Sequence, residues 1–260
     1  MFTPEGPTLR ELAVQALSSV ERGYDLLAPK FDRTPFRTPD TLLDAVVHAA
    51  APLGPFGTGL DICCGTGAGV GVLRRLCDER VVGVDFSAGM LAAARDATGS
   101  AVPDQVPDDA SDAPGAQGAQ GAPAVHWVRA DARALPLAPV FDLAVSFGAF
   151  GHFLPAERPA LFAQARAALR PGGLFVFPVP APPRVGSKLY WALWGFDTAM
   201  RLRNLVWRPP FVMYYRTFRL PDVLDELAGA GFTTSVLPLS GLGLRPDGSP
   251  RCALVVARTA

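Results

Sequence analysis

A chain of 260 residues with 49% apolar side chains can bury a sizeable core, and its length suits one domain with an insertion or two rather than two full domains. Its 24 Lys and Arg balance 24 Asp and Glu, so no global field draws it to nucleic acid or to an anionic membrane, and any such affinity has to be local. The opening MFTPEGPTLRELAVQ lacks the basic start and apolar run of a secretory signal, giving a cytoplasmic location by default, and four cysteines make no disulfide framework in such a chain.

Over 8–22 the apolar residues Leu9, Leu12, Ala13, Ala16, Leu17 and Val20 recur at three and four, the stripe of an amphipathic helix. Pro39 and Asp40 open a second helix running to about Ala51. After a breaker-rich turn over 52–59, short apolar runs alternate with helical ones, the signature of a parallel α/β sheet. Strands are predicted at 59–63, 81–85, 125–130, 141–146 and 174–179, with helices at 68–78, 88–97 and 155–169. Pro155 suits a first helical turn, and Arg170, Pro171, Gly172 and Gly173 stop that helix. The segment 99–123 has almost no large apolar side chain and is predicted to be a disordered loop. By contrast, 184–218 is rich in aromatic and basic residues. A helix from Pro221 to about Ala230 follows, then strands at 232–239 and 251–258 that a turn at Asp247 and Gly248 should pair antiparallel. Cys77 and Cys252 are expected to pack as small hydrophobes, and the LYWALWGF run is interrupted by Asp197, Arg201 and Arg203 before it reaches membrane-spanning length.

The run LDICCGTGAG at 60–69 sets a metal or redox site against a backbone cradle. Metal is disfavoured, because Cys63 and Cys64 point to opposite sides of a strand and no further ligands stand at suitable spacing. Gly65, Gly67 and Gly69 lie where a strand ends and a helix begins, so a ligand can approach the backbone and its N–H groups. Neither the dinucleotide fingerprint nor a Walker loop is present, which argues against a pyrophosphate ligand and a nicotinamide-dependent oxidoreductase. Asp61 suits a positively charged ligand or else ties down the following loop. Asp85 closes the second strand, where a carboxylate can accept both hydroxyls of a ribose, and Ser87 is placed to cap the next helix in its stead. Asp131 ends the third strand, where it could accept from an exocyclic amine while the Ala132 N–H bonds a ring nitrogen.

In order, LDICCGTGAG, VVGVDFSAGMLAAAR, VRADARALPL, FDLAVSFGAFGHF, LRPGGLFVF and RTFRLPDVLDELAGAGF resemble the successive motifs of class I S-adenosylmethionine-dependent methyltransferases. The resemblance covers roughly 57–178 and the C-terminal helix and strands. It implies a Rossmann-like open, mostly parallel sheet of seven strands with helices on both faces and the last strand antiparallel. Within one domain of 1–260, a helical cap (1–56) would precede a cofactor-binding core (57–183), a lid (184–218) and the closing helix and strands (219–260). Asp61, Gly65, Thr66 and Gly67 would hold the methionine part of S-adenosylmethionine, Asp85 its ribose, Phe86 and Met90 the adenine face, and Asp131 with Ala132 the adenine edge. Ser146 and Phe147 would face the methionyl amine and the acceptor. Where such proteins most often have glycine, Cys63 brings a Cβ and a sulfur close to the cofactor.

Methyl transfer from a sulfonium needs a base only when the nucleophile arrives protonated. His152 is the best-placed candidate, with a capping or packing histidine as the alternative, whereas His48 and His126 sit within a helix and a strand. Tyr24 closes over the cofactor or packs in the core. The aromatic segment either lines a pocket for a large apolar molecule, packs as a plain helical lid, or touches a membrane surface. These features imply an O-, N- or C-methyltransferase for a hydrophobic small molecule such as a secondary metabolite, a quinone-like compound or a lipid. The alternative is a cofactor-binding protein without transferase activity that recruits a partner or membrane. No basic surface points to nucleic acid.

Overall fold

In a computed structural model that describes residues 6–99 and 122–260, the single helix expected over 8–22 is two: α1 (Leu9–Leu17) and α2 (Val20–Leu27). Ser18 and Ser19 break it. Ser18 leaves α1 in extended conformation, and the Ser19 hydroxyl accepts from the Arg22 N–H to start α2, because short hydroxyl side chains compete for backbone groups at such junctions. A 3₁₀ turn (Ala28–Arg33) and α3 (Asp40–Ala50) complete the N-terminal part.

The core alternates as expected: β1 (Phe56–Ile62), α4 (Ala68–Leu73), β2 (Cys77–Asp85), α5 (Ala88–Thr98), β3 (Ala124–Arg129), β4 (Phe141–Val145), α6 (Arg158–Ala168) and β5 (Leu169–Pro180). Two boundaries differ. The helix predicted to reach residue 78 stops at Leu73, and β2 begins at Cys77, since its first turn of polar residues, Asp78 to Arg80, lies at an exposed end of the sheet and carries no apolar alternation. The helix predicted from Pro155 begins at Arg158 with Pro159 in its first turn, and 155–157 form a turn in which Glu157 accepts from the Leu154 N–H. The strand after it already starts at Leu169, with Gly172 at φ +78° bending it past β4. The loop expected over 99–123 falls, apart from its ends, outside the described residues. The aromatic segment forms α7 (Lys188–Val206) and an irregular return to α8 (Leu220–Gly229), followed by β6 (Phe232–Pro238) and β7 (Cys252–Thr259).

The seven strands run in the order β3-β2-β1-β4-β5-β7-β6. β1 to β5 are parallel, and β7 is antiparallel to both β5 and β6. This is a Rossmann-like sheet with a layer on each face. Leu60, Ile62, Phe175 and Phe177 pack under α6 and α8, while Val81, Leu143, Val145 and Val176 pack under α3, α4 and α5. A third, smaller core belongs to neither layer: Met200 of α7 with Phe211 and Tyr214 of the return segment, against Val20 and Tyr24 of α2. It fastens the aromatic segment to the N-terminal helices. Among the described residues no helix is long and apolar enough to cross a membrane.

Candidate active site

The strand order reverses between β1 and β4, so ligands of a doubly wound sheet sit above the C-terminal ends of these two strands. Asp61 is the penultimate residue of β1, and its neighbours Leu60 and Ile62 turn to the α6 layer while its carboxylate turns to α4. A Cβ added to Gly69 would lie 2.4 Å from Asp61 Oδ2, so this glycine is what lets the carboxylate stand there. Both Asp61 oxygens are buried without a hydrogen-bond partner among the described residues. Burial, with the Asp85 charge, holds this carboxyl well above the usual range; the nearby Val70 N–H, which makes no full hydrogen bond to it, offsets only part of that.

The following turn runs Cys63, Cys64, Gly65, Thr66, Gly67. Ile62 and Cys63 both pack toward the α6 layer and Cys64 toward the other, so the left-handed turn at Cys63 breaks the alternation of β1, and among the described residues no cluster of three metal-ligating side chains exists. Gly65 and Gly67 take positive φ, and a Cβ on Gly65 would meet nothing within 4 Å, so its backbone faces open space. The Thr66 hydroxyl donates to Asp32 of the N-terminal 3₁₀ turn at 2.7 Å. Asp85 accepts from the Gly65 N–H and the Ser87 N–H, both at 2.9 Å, and is thus engaged by two loops rather than waiting unpaired. Each of its oxygens retains a lone pair. Ser87 caps α5 as expected, accepting from the Met90 N–H, and donates to Asp25 of α2, which also accepts from the Gly89 N–H. Phe86 is half-buried beside it, but Met90 is fully buried and belongs to the core more than to an open adenine face.

At the end of β3, Asp131 is gripped by Arg133 at 2.6 Å, and that guanidinium, also bound to Glu157, holds the Asp131 carboxyl below its usual range. Ala132 is buried in the α6 layer. Burial first, then the charges of Asp85, Asp61 and Asp131, push the Cys63 thiol far up, so all three acids lie within electrostatic reach of that one side chain. Ser146 is also buried, and its hydroxyl donates to the Ile62 carbonyl at 2.8 Å while its lone pairs stay available, and Phe147 packs toward the α3 and α4 layer.

His152 stands in a short 3₁₀ turn (Phe150–His152) after β4. Its Nδ1 is 2.7 Å from the Val212 carbonyl, which can only accept, so Nδ1 carries the proton and Nε2 the lone pair. The Tyr24 hydroxyl donates to that Nε2 at 2.8 Å. Burial lowers the His152 pKa and raises that of Tyr24, so both are neutral near pH 7. Tyr24 also stacks on Phe211, with ring centroids 6.4 Å apart. His48 bonds the Asp44 carbonyl on α3, and His126 is half-buried in β3, so neither joins the site.

Residues 60–177 match the family model described as a methyltransferase domain. Over this span the chain is similar to the methyltransferase domain family. Two curated relatives agree: the trans-aconitate 2-methyltransferase of Azoarcus sp. (strain BH72) is 34% identical over 51% of this chain and 42% of its own length. The 2-phytyl-1,4-naphtoquinone methyltransferase of Thermosynechococcus vestitus is 28% identical over 60% of this chain and 62% of its own. The chain thus spans about half the length of the curated relatives it matches. A DhpI structure in complex with SAH shares the fold, with a TM-score of 0.59 at 17% identity over 97% of this chain and 99% of that one.

The site has residues that would fit S-adenosylmethionine: an orphaned buried carboxylate for an ammonium, an open glycine turn, and lone pairs on Asp85 for a diol. It departs from ease at one position, since Cys63 holds φ +59°, the left-handed region where a Cβ crowds the carbonyl. That explains why glycine suits this place. Cys63→Gly is expected to stabilise the protein by about 0.5–1 kcal/mol, read as a higher urea midpoint at unchanged slope; a lower midpoint would mean that the packing of the side chain outweighs its strain.

Sequence reasoning missed Asp25, Asp32 and Arg133. The two aspartates lie outside every motif, and nothing in local spacing marks which loop they reach. Gly89 was a partial signal: a Cβ there would sit 2.9 Å from the Asp25 Cα, so the glycine in SAGM records the close approach of α2.

Proposed function

We propose that this protein transfers the methyl group of S-adenosylmethionine to a hydrophobic small molecule. The observation that carries the reading is Asp61, a carboxylate buried without a partner under the glycine turn, which answers to a ligand bearing a positive charge. In this reading Asp61 takes the ammonium, the Gly65 to Gly67 backbone the rest of the methionine part, Asp85 the ribose hydroxyls, Phe86 one adenine face, and Asp131 with the Ala132 N–H the adenine edge. When bound, S-adenosylmethionine supplies a methyl group already activated by the sulfonium. The chain's own share is then alignment in a dry setting, which can contribute about 7–11 kcal/mol.

The acceptor would lie against Tyr24, whose ring stacks on Phe211, an apolar pair that favours an apolar molecule; the trans-aconitate and naphthoquinone named for the relatives are at least small. For an acceptor that arrives protonated, the Tyr24 oxygen accepts its proton while the phenolic proton passes to His152 Nε2. Because burial disfavours a Tyr24 phenolate, the two transfers have to be concerted. A lowered His152 pKa keeps the imidazole neutral and ready.

The deciding experiment incubates the protein and S-adenosylmethionine with a library of quinols, phenols, amines and lipids. It reads S-adenosylhomocysteine release, then the mass of whatever gained a methyl group. Release that depends on one apolar acceptor is expected. Tight cofactor binding with no turnover on any acceptor would leave a binding protein without transferase activity.

A further inference from the structure

α7 is apolar on the side that faces away from the protein. Asp197 and Met200 mark its inner side: the Asp197 carboxylate accepts the Tyr215 and Arg216 N–H groups, and Met200 packs in the third core. Half a turn away, at helical spacing, stand Trp191, Leu202 and Val206, flanked by Trp194 and Leu205. They are exposed, Leu205 and Val206 by 79% and 77%. A surface helix ordinarily turns charge to water, and beyond Lys188 this outward stripe carries none.

The charge around the stripe has one sign. Between 184 and 219 there are seven Arg and Lys and one acid, and that acid is the buried Asp197. In a chain of zero net charge this is a local concentration, with Arg184 and Lys188 at one end of α7 and Arg208 just past the other, all exposed. A second copy docking by the same face would bring two such positive segments together across a two-fold axis. An anionic surface instead satisfies both the apolar stripe and its basic ends.

We propose that α7 is a membrane-docking helix that lies flat in the interface of an anionic lipid bilayer, its outward stripe among the acyl chains and Arg184, Lys188 and Arg208 at the headgroup phosphates. It does not span, because Asp197, Arg201 and Arg203 interrupt it. The inner side of the same helix packs on the core that holds Tyr24, so docking sets the acceptor site one helix away from the bilayer. The inference stands whichever molecule is methylated.

The test is sedimentation of the full chain with vesicles of phosphatidylcholine alone or with about a third phosphatidylglycerol. Binding to the anionic vesicles is expected to be at least about tenfold stronger and to weaken with salt. The triple variant Trp191→Gln, Leu202→Gln, Val206→Gln is expected to lose about tenfold or more while still binding S-adenosylhomocysteine by calorimetry, which separates a lost surface from a lost fold or cofactor site. No sedimentation with anionic vesicles would overturn the proposal. So would equal binding by parent and variant, or a dimer in sedimentation velocity that the same substitutions abolish.

Discussion

Asp61→Asn is expected to make the unliganded protein more stable and to destroy its grip on the cofactor. The carboxylate is buried, meets no full hydrogen bond among the described residues, and feels the Asp85 charge, so its folded pKa lies above its unfolded value. The folded state then binds more protons than the unfolded one between those two values, and stability falls as pH rises through that interval. A neutral amide stays unpaired but removes the part of the penalty that burial and Asp85 place on the charge, about 1 kcal/mol or more at neutral pH, or roughly 2–4 °C in Tm for each kcal/mol. Against an ammonium the same change removes one side of a buried ion pair, and loss of about 2–5 kcal/mol lowers affinity roughly 30- to 5,000-fold. Thermal unfolding at two pH values and calorimetry with S-adenosylhomocysteine check both halves. In the parent protein, cofactor affinity should rise with pH as Asp61 ionises, with proton release visible as buffer-dependent heat. A variant that binds within threefold of the parent would remove Asp61 from the site.

His152→Ala is expected to lower kcat by about 10²–10⁴ for an acceptor that must lose a proton, with cofactor binding retained. Tyr24→Phe should fall with it, and the double variant should cost little more than either, because the two side chains form one chain of hydrogen bonds ending on the Val212 carbonyl. The pH profile distinguishes a proton acceptor from a strut. Neutral His152 is the active form and burial lowers its pKa, so the acidic limb of the parent should lie below the ordinary histidine value of about 6.5. In His152→Gln, which can still bond Val212, that limb should vanish. A limb that persists, with a change confined to KM, would leave His152 as a clasp between the β4 loop and the aromatic segment.

The sheet was legible because its signals are local. Apolar runs of strand length alternate with helical stripes, and carboxylates at strand ends fall on one edge once the topology is parallel, so Asp61, Asp85 and Asp131 could be brought together on paper. What local pattern cannot carry was lost. Ser18 and Ser19 break a stripe whose apolar spacing continues across them, and Asp78 to Arg80 enter β2 with no alternation to announce it. The N-terminal contacts were the larger gap. Asp25, Asp32 and Tyr24 reach loops 34 to 128 positions away, each by a hydrogen bond between single side chains or to one N–H, and no periodicity encodes such a meeting. Ser146 carries a contact that no motif announces: its hydroxyl donates to the Ile62 carbonyl and keeps its lone pairs for another donor.

The adjacent thiols at the end of β1 carry a last consequence. Each looks into a different hydrophobic layer and each is held protonated by its surroundings. Oxidants attack thiolates, and a bridge needs two sulfurs on the same side of the backbone. Peroxide or glutathione disulfide is therefore expected to react slowly here, leaving the turn after β1 indifferent to swings in redox poise.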